Sequence, residues 1–145
     1  MKVLFLDSVH KILQEQLDAN GFDCSQNYTI PREELLKEIE HYQGIIIRSR
    51  LTIDKEFLKH AKNLKFIARS GAGLENIDLN EAKKKGVEVF NSPEGNRDAV
   101  GEHALGMLLM LMNNLKQGDK EVRKGVWLRE ENRGFEISGK TIGII

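Results

Sequence analysis

The segment Gly44-Ile45-Ile46-Ile47-Arg48-Ser49-Arg50 sets three consecutive isoleucines beside a glycine and then changes abruptly to two arginines and a serine. A strand with one wet face alternates apolar and polar residues. A continuous β-branched run is instead the mark of a strand covered on both faces. Upstream, Lys2 to Asp7 reads the same way, a short aliphatic run ended by polar residues. Between the two lies a helix pattern with Val9, Ile12, Leu13 and Leu17, which Ser8 can cap and Asn20-Gly21 can close. A weaker strand at Phe22 to Asn27 follows, and Pro31 then opens a helix with Leu35, Leu36 and Ile39 on one face. Downstream, Thr52 or Asp54 caps a short helix holding Phe57 and Leu58. Leu64 to Ser70 gives a strand, Asn80 to Lys85 a helix stopped by Gly86, and Val87 to Asn91 a fifth strand. Five strands separated by helices predict an α/β domain of the doubly wound, flavodoxin-like class, built on a parallel five-stranded sheet.

Past Asn91 the pattern changes. Pro93, Gly95 and Asn96 form a loop, and Asp98 can cap a long helix running to about Leu115. From Ala104 to Met112 that helix is apolar nearly all round, so a second domain or a second subunit has to cover it. Residues 118–133 are polar except for Val126-Trp127-Leu128 and read as a short helix and connector, while Lys140 to Ile145 reads as a new strand. The expected division is therefore 1–97, a helix over 98–117, and a further unit from 118 to 145.

Composition narrows the function. The 145 residues carry 22 basic and 22 acidic side chains, a balance that argues against a general nucleic-acid binder. The one cysteine, Cys24, has no partner for a disulfide or a metal site and suits a small buried hydrophobe. The longest apolar stretch falls well short of the ~20 residues that span a bilayer, and no signal-peptide pattern opens the chain. A cytoplasmic location is the expectation.

Two glycine motifs invite a nucleotide reading. Gly134-Phe135-Glu136-Ile137-Ser138-Gly139-Lys140-Thr141 fits a phosphate-loop pattern, but charged residues precede it and strand-like ones follow, the reverse of the required context. Gly71-Ala72-Gly73-Leu74-Glu75-Asn76 begins a dinucleotide fingerprint and lacks its third glycine. Glu102 and His103 are helix neighbours whose side chains diverge by ~100°, so they make no acid–base pair. His103 is expected to be packed, and His10, His41 and His60 to be surface residues.

In an open parallel sheet, ligands bind beyond the carboxyl ends of the strands. Those ends here are Asp7-Ser8, Arg48-Ser49-Arg50, Ser70-Gly71-Ala72-Gly73 and Asn91 through Asn96. Arginines and glycine-flanked amides suit a carboxylate or phosphate, although the same residues also suit ordinary solvated turns.

Taken in order, Ile45-Ile46-Ile47-Arg48-Ser49-Arg50, Ala68-Arg69-Ser70-Gly71-Ala72-Gly73-Leu74-Glu75-Asn76-Ile77-Asp78, Val89-Phe90-Asn91-Ser92-Pro93-Glu94-Gly95-Asn96, Ala99 to Gly106, Lys124 to Trp127 and Gly139 to Ile145 resemble the D-isomer-specific 2-hydroxyacid dehydrogenases. The resemblance implies that the chain is the substrate-domain portion of an NAD-dependent oxidoreductase acting on the CH–OH group of D-2-hydroxy acids, with 3-phosphoglycerate the expected substrate. It implies that residues 1–97 are the substrate domain, that helix 98–117 is an interdomain helix pairing two subunits into a homodimer, and that residues 118–145 begin a truncated Rossmann domain. By the same resemblance Arg48 and Ser49 line the substrate pocket and Arg50 helps hold a phosphate. The main chain at Ala72 and Gly73 binds the substrate carboxylate, and Ala72 and Asn96 lie near the nicotinamide and the reacting end. Glu75 stands where the family usually has Asp, and Gly101 where Ala is commoner. The family's glycine-rich NAD loop and its catalytic Arg, Glu and His match nothing in this chain, so no catalytic residue and no metal ligand is assigned, and the chain is expected to be inactive by itself. The competing readings are a stand-alone flavodoxin-like binding or regulatory module, and a nucleotide-phosphate binder using Lys140.

Overall fold

The computed structural model describes residues 1–144. It divides into two compact units, Met1–Asn96 and Arg97–Ile145. In the first, strands β1 (Lys2–Phe5), β2 (Asp23–Gln26), β3 (Gly44–Ile47), β4 (Phe66–Arg69) and β5 (Glu88–Phe90) alternate with helices α1 (Lys11–Ala19), α2 (Arg32–Glu38), α3 (Lys55–His60) and α4 (Leu79–Lys84). All neighbouring strands pair in parallel, in the order β2-β1-β3-β4-β5. The chain passes from β1 to β2 on one side and returns to β3 on the other, so the topological switch point falls between β1 and β3.

The isoleucine run does what its composition dictates. Ile45 and Ile47 enter a large core with Leu4, Leu6, Leu35, Phe57, Leu58, Ile67 and Ala82, beneath α2, α3 and α4. Ile46 points the other way and joins Val3 and Phe5 beneath Leu13 and Leu17 of α1. The period of two splits each inner strand between two cores, and every residue of β3 is buried. Gly44 leaves room for the Phe66 ring, which would lie 2.2 Å from a Cβ at that position.

Caps and turns set the boundaries. Helix α1 starts at Lys11, and His10, not Ser8, is its N-cap, with its imidazole Nδ1 accepting the Ile12 N–H at 3.3 Å. Ser8 stands too early because Val9 first turns down onto the sheet. Asp54 caps α3 by accepting the Phe57 N–H at 2.8 Å, and Asp78 does the same for α4 through Glu81 at 2.9 Å. Gly86 ends α4 at φ 68°, in the left-handed region.

The second unit holds α5 (Arg97–Met112) and α6 (Leu115–Val122). The expected helix over 98–117 is thus two helices. Asn114 adopts φ 52°, a left-handed conformation that Asn tolerates and a helix interior does not, so the ladder stops at Asn113. No residue of α5 is buried, and His103 is exposed, not packed. The strand expected from Lys140 is not formed over 140–144, because none of the described residues of this unit offers it a ladder partner. Ile145, the last residue of that expectation, lies outside the described residues. Among the described residues, no helix is long and apolar enough to cross a membrane.

Candidate anion-binding site

The carboxyl ends of β1, β3, β4 and β5 carry the polar residues singled out above, and the hydrogen bonds show how they are held. Arg48, the first residue past β3, is fixed through its main chain on both sides. Its N–H donates to Asp7 Oδ2 at 2.7 Å. Its carbonyl accepts from Arg69 Nε at 3.2 Å and from Asn76 Nδ2 at 3.3 Å. Three side chains from three separate segments therefore lock one residue, while the Arg48 guanidinium has no partner among the described residues and is exposed. Ser49 beside it is exposed as well.

Arg50 turns the opposite way. Its guanidinium donates to Leu6 O at 2.9 Å and to Ile30 O at 3.2 Å, and its Nε lies 3.6 Å from Asp7 Oδ1. It spends its donors on the ends of β1 and of the loop before α2, and Arg48 faces outward in its place. Arg69, which sequence reasoning left out of the site, is half-buried, and its terminal nitrogens bond to nothing else among the described residues. The available signal was a basic residue closing an otherwise apolar strand.

The loop after β4 supplies main-chain donors. The Asn91 side chain donates to Ala72 O at 2.6 Å, and Ser92 N–H to Gly71 O at 2.9 Å, so the end of β5 pins the loop. The N–H groups of Ala72 and Gly73 have no acceptor among the described residues. Two successive unbonded amides are donors of the kind an anion can accept from. The Glu75 carboxylate lies against Gly73, so close that a Cβ there would be 2.3 Å from it. Asn76 anchors the far side through Leu51 O at 2.7 Å, and Ile53 N–H bonds Asn76 O at 2.7 Å. The structure thus brings Arg48, Ser49, Ala72 and Gly73 to neighbouring loops of one sheet edge. Asn96 is exposed at the end of the first unit and bonds to none of them.

A separate concavity lies away from this edge. It is a mainly apolar groove of about 610 Å³ on the α1 face of the sheet, lined by Leu13, Leu17, Phe22, Phe66 and Phe90, with Lys65 and Glu88 also on its wall. No cluster of His, Cys, Asp and Glu among the described residues could hold a metal. Neither glycine motif opens a helix. Gly71-Ala72-Gly73 leads through a turn to the isolated bridge Ile53–Ile77, and residues 134–141 are irregular. The residues present do not fit the diphosphate of a dinucleotide.

The fold is a flavodoxin-like α/β domain whose parallel sheet carries two arginines and two unbonded main-chain N–H groups at the carboxyl ends of its strands. The chain belongs to the D-isomer specific 2-hydroxyacid dehydrogenases, whose catalytic-domain model matches residues 3–140. It is 37% identical to the D-3-phosphoglycerate dehydrogenase of Archaeoglobus fulgidus over 145 residues, all of this chain and 28% of that protein. A solved structure of the TT0316 protein from Thermus thermophilus matches 96% of this chain and 46% of its own, with a TM-score of 0.79 and 28% identity. The NAD-bound 3-phosphoglycerate dehydrogenase of Entamoeba histolytica matches 78% of this chain and 39% of its own, with a TM-score of 0.67 and 28% identity. The chain spans less than a third of the length of the curated relatives it matches.

Proposed function

We propose that this chain supplies the substrate-binding part of an NAD-dependent oxidoreductase acting on the CH–OH group of a D-2-hydroxy acid, with 3-phosphoglycerate as the substrate. The observation that carries the reading is the outward guanidinium of Arg48, locked through its main chain, at the same sheet edge as the free N–H groups of Ala72 and Gly73. Those amides bind the substrate carboxylate, and Arg48 and Arg69 neutralise the phosphorylated end. Arginine suits that task because its planar fork gives two parallel donors to a phosphate. NAD would supply the hydride-accepting ring in the complete protein, and the family resemblance would put the Ala72 main chain and Asn96 near that ring, with the diphosphate held by residues outside this chain. The chain's own work is to bind and orient the acid. The proton and hydride steps need groups that no motif of this chain matches.

The relatives' printed names support the substrate, and the coupling to serine biosynthesis follows from that substrate alone. A homodimer formed through α5 is part of the same proposal, supported by Leu111 and Met107, which are 74% and 54% exposed. Leu111→Asp should shift the chain to monomer in sedimentation, and an unchanged mass would remove that part.

A thermal-shift titration with 3-phosphoglycerate, glycerate, NAD and ATP tests the whole. One wall of a site binds with Kd on the order of millimolar, or about 4 kcal/mol, so ligand is used in excess. Stabilisation by 3-phosphoglycerate beyond that by glycerate supports the reading. Stabilisation by ATP alone refutes it and favours the Lys140 motif.

A further inference from the structure

The carboxylate of Asp7 stands at the switch point, beside a wall that has to receive an anion. Its side chain is only 14% exposed. One oxygen accepts the Arg48 N–H at 2.7 Å and the other lies 3.6 Å from Arg50 Nε. A bare carboxylate there would repel the ligand, and a missing acceptor would free the Arg48 main chain. We infer that Asp7 is a positioning residue that aims Arg48 at the bound anion, and that Arg50 masks the Asp7 charge without touching the anion itself. This inference rests on the proposed function and adds a division of labour between the two arginines.

Three observations bear on it. Arg50 already spends its fork on Leu6 O and Ile30 O, which ties its guanidinium to the ends of β1 and of the loop before α2 although the side chain stays 33% exposed. Arg48, in contrast, has its main chain bonded on both sides and its guanidinium free. Asp7 is the side chain that meets both residues: one oxygen accepts the Arg48 N–H, and the other lies at ion-pair distance, 3.6 Å, from Arg50 Nε, which itself donates to Leu6 O at 3.3 Å. The acceptor and charge functions of Asp7 can therefore be separated by substitution, since an Asn carbonyl still accepts the Arg48 N–H.

The test is a double-mutant cycle read by calorimetric titration of the full chain with 3-phosphoglycerate, with folding checked by far-UV circular dichroism. Arg50→Met should weaken binding roughly fivefold, the scale of one part-exposed charge. Asp7→Asn should tighten binding by a similar factor, and Asp7→Asn with Arg50→Met together should return it to the wild-type value. If the double variant binds as weakly as Arg50→Met, Arg50 contacts the anion and the inference is overturned. Asp7→Ala removes the same charge as Asp7→Asn and also the acceptor, so it should bind more weakly than Asp7→Asn; equal binding overturns the positioning role. If Arg50→Met does not fold, the comparison of the two Asp7 variants carries the test alone. A wild-type chain that binds neither 3-phosphoglycerate nor glycerate overturns the functional reading itself and this inference with it, a result distinct from binding without rescue.

Discussion

Replacing Asp54 by Ala removes two interactions at one point of the fold. The carboxylate caps α3 through the Phe57 N–H at 2.8 Å. It also receives Arg32 Nη2 at 2.7 and 2.8 Å, which ties α2 to the loop after β3. Loss of an N-cap costs about 1 kcal/mol. The Arg32 pair is part-exposed and adds about 0.5 kcal/mol, so Asp54→Ala should cost roughly 1.5 kcal/mol. Asn is as good a cap as Asp, so Asp54→Asn should lose only the ion-pair share. The pH dependence carries a sign. The Phe57 N–H first, and the Arg32 guanidinium with it, hold the Asp54 carboxyl below the usual carboxylate range against partial desolvation. A lowered folded-state pKa gives stability that is complete above the unfolded value and disappears as pH falls through the folded one. The gap between wild type and Asp54→Ala should therefore be constant from neutral pH down to about pH 5 and close below about pH 4. Urea denaturation followed by far-UV circular dichroism is the assay, because the first unit contains no tryptophan, the single Trp127 lying in the second. Equal stability of Asp54→Ala and wild type at pH 7, or a gap that widens in acid, would refute the argument.

Two further outcomes follow from the cores. Burial first, and then the hydrogen bond and charge of Asp18, push the Cys24 thiol up to about 11. Alkylation at pH 8 should run roughly a hundredfold slower in the folded chain than in urea, since the thiolate is the reacting form; equal rates would place Cys24 in open solvent. Gly44→Ala should destabilise the chain by about 1–3 kcal/mol, because the Phe66 ring over Gly44 is held edge-on by Phe22 and Phe90, with ring centroids 6.5 and 6.4 Å away. A melting temperature unchanged by that substitution would show that the ring moves freely.

The strands and their order of appearance were legible because buried parallel strands need unbroken apolar runs, and Ile45-Ile46-Ile47 leaves no other assignment. The caps at Asp54 and Asp78 obey local chemistry, whereas His10 displaced Ser8 because Val9 had first to reach the sheet, a tertiary requirement. The break at Asn114 was hidden, since Asn is permitted within helices and only its left-handed conformation marks the end. At the site, sequence placed Arg48, Ser49, Ala72 and Gly73 on one edge by the rule for strand ends. Which arginine keeps its guanidinium free could not be read from Arg48-Ser49-Arg50, because it depends on Asp7 and the carbonyls of Leu6 and Ile30, all more than 15 residues away in sequence.

The most direct test of the central claim is a calorimetric titration of wild type and Arg48→Ala with 3-phosphoglycerate. The account predicts binding by the wild type and a loss of about tenfold or more in the variant, the size of one charge-assisted hydrogen bond, with the fold unchanged. Arg48→Ala binding as tightly as the wild type would contradict it.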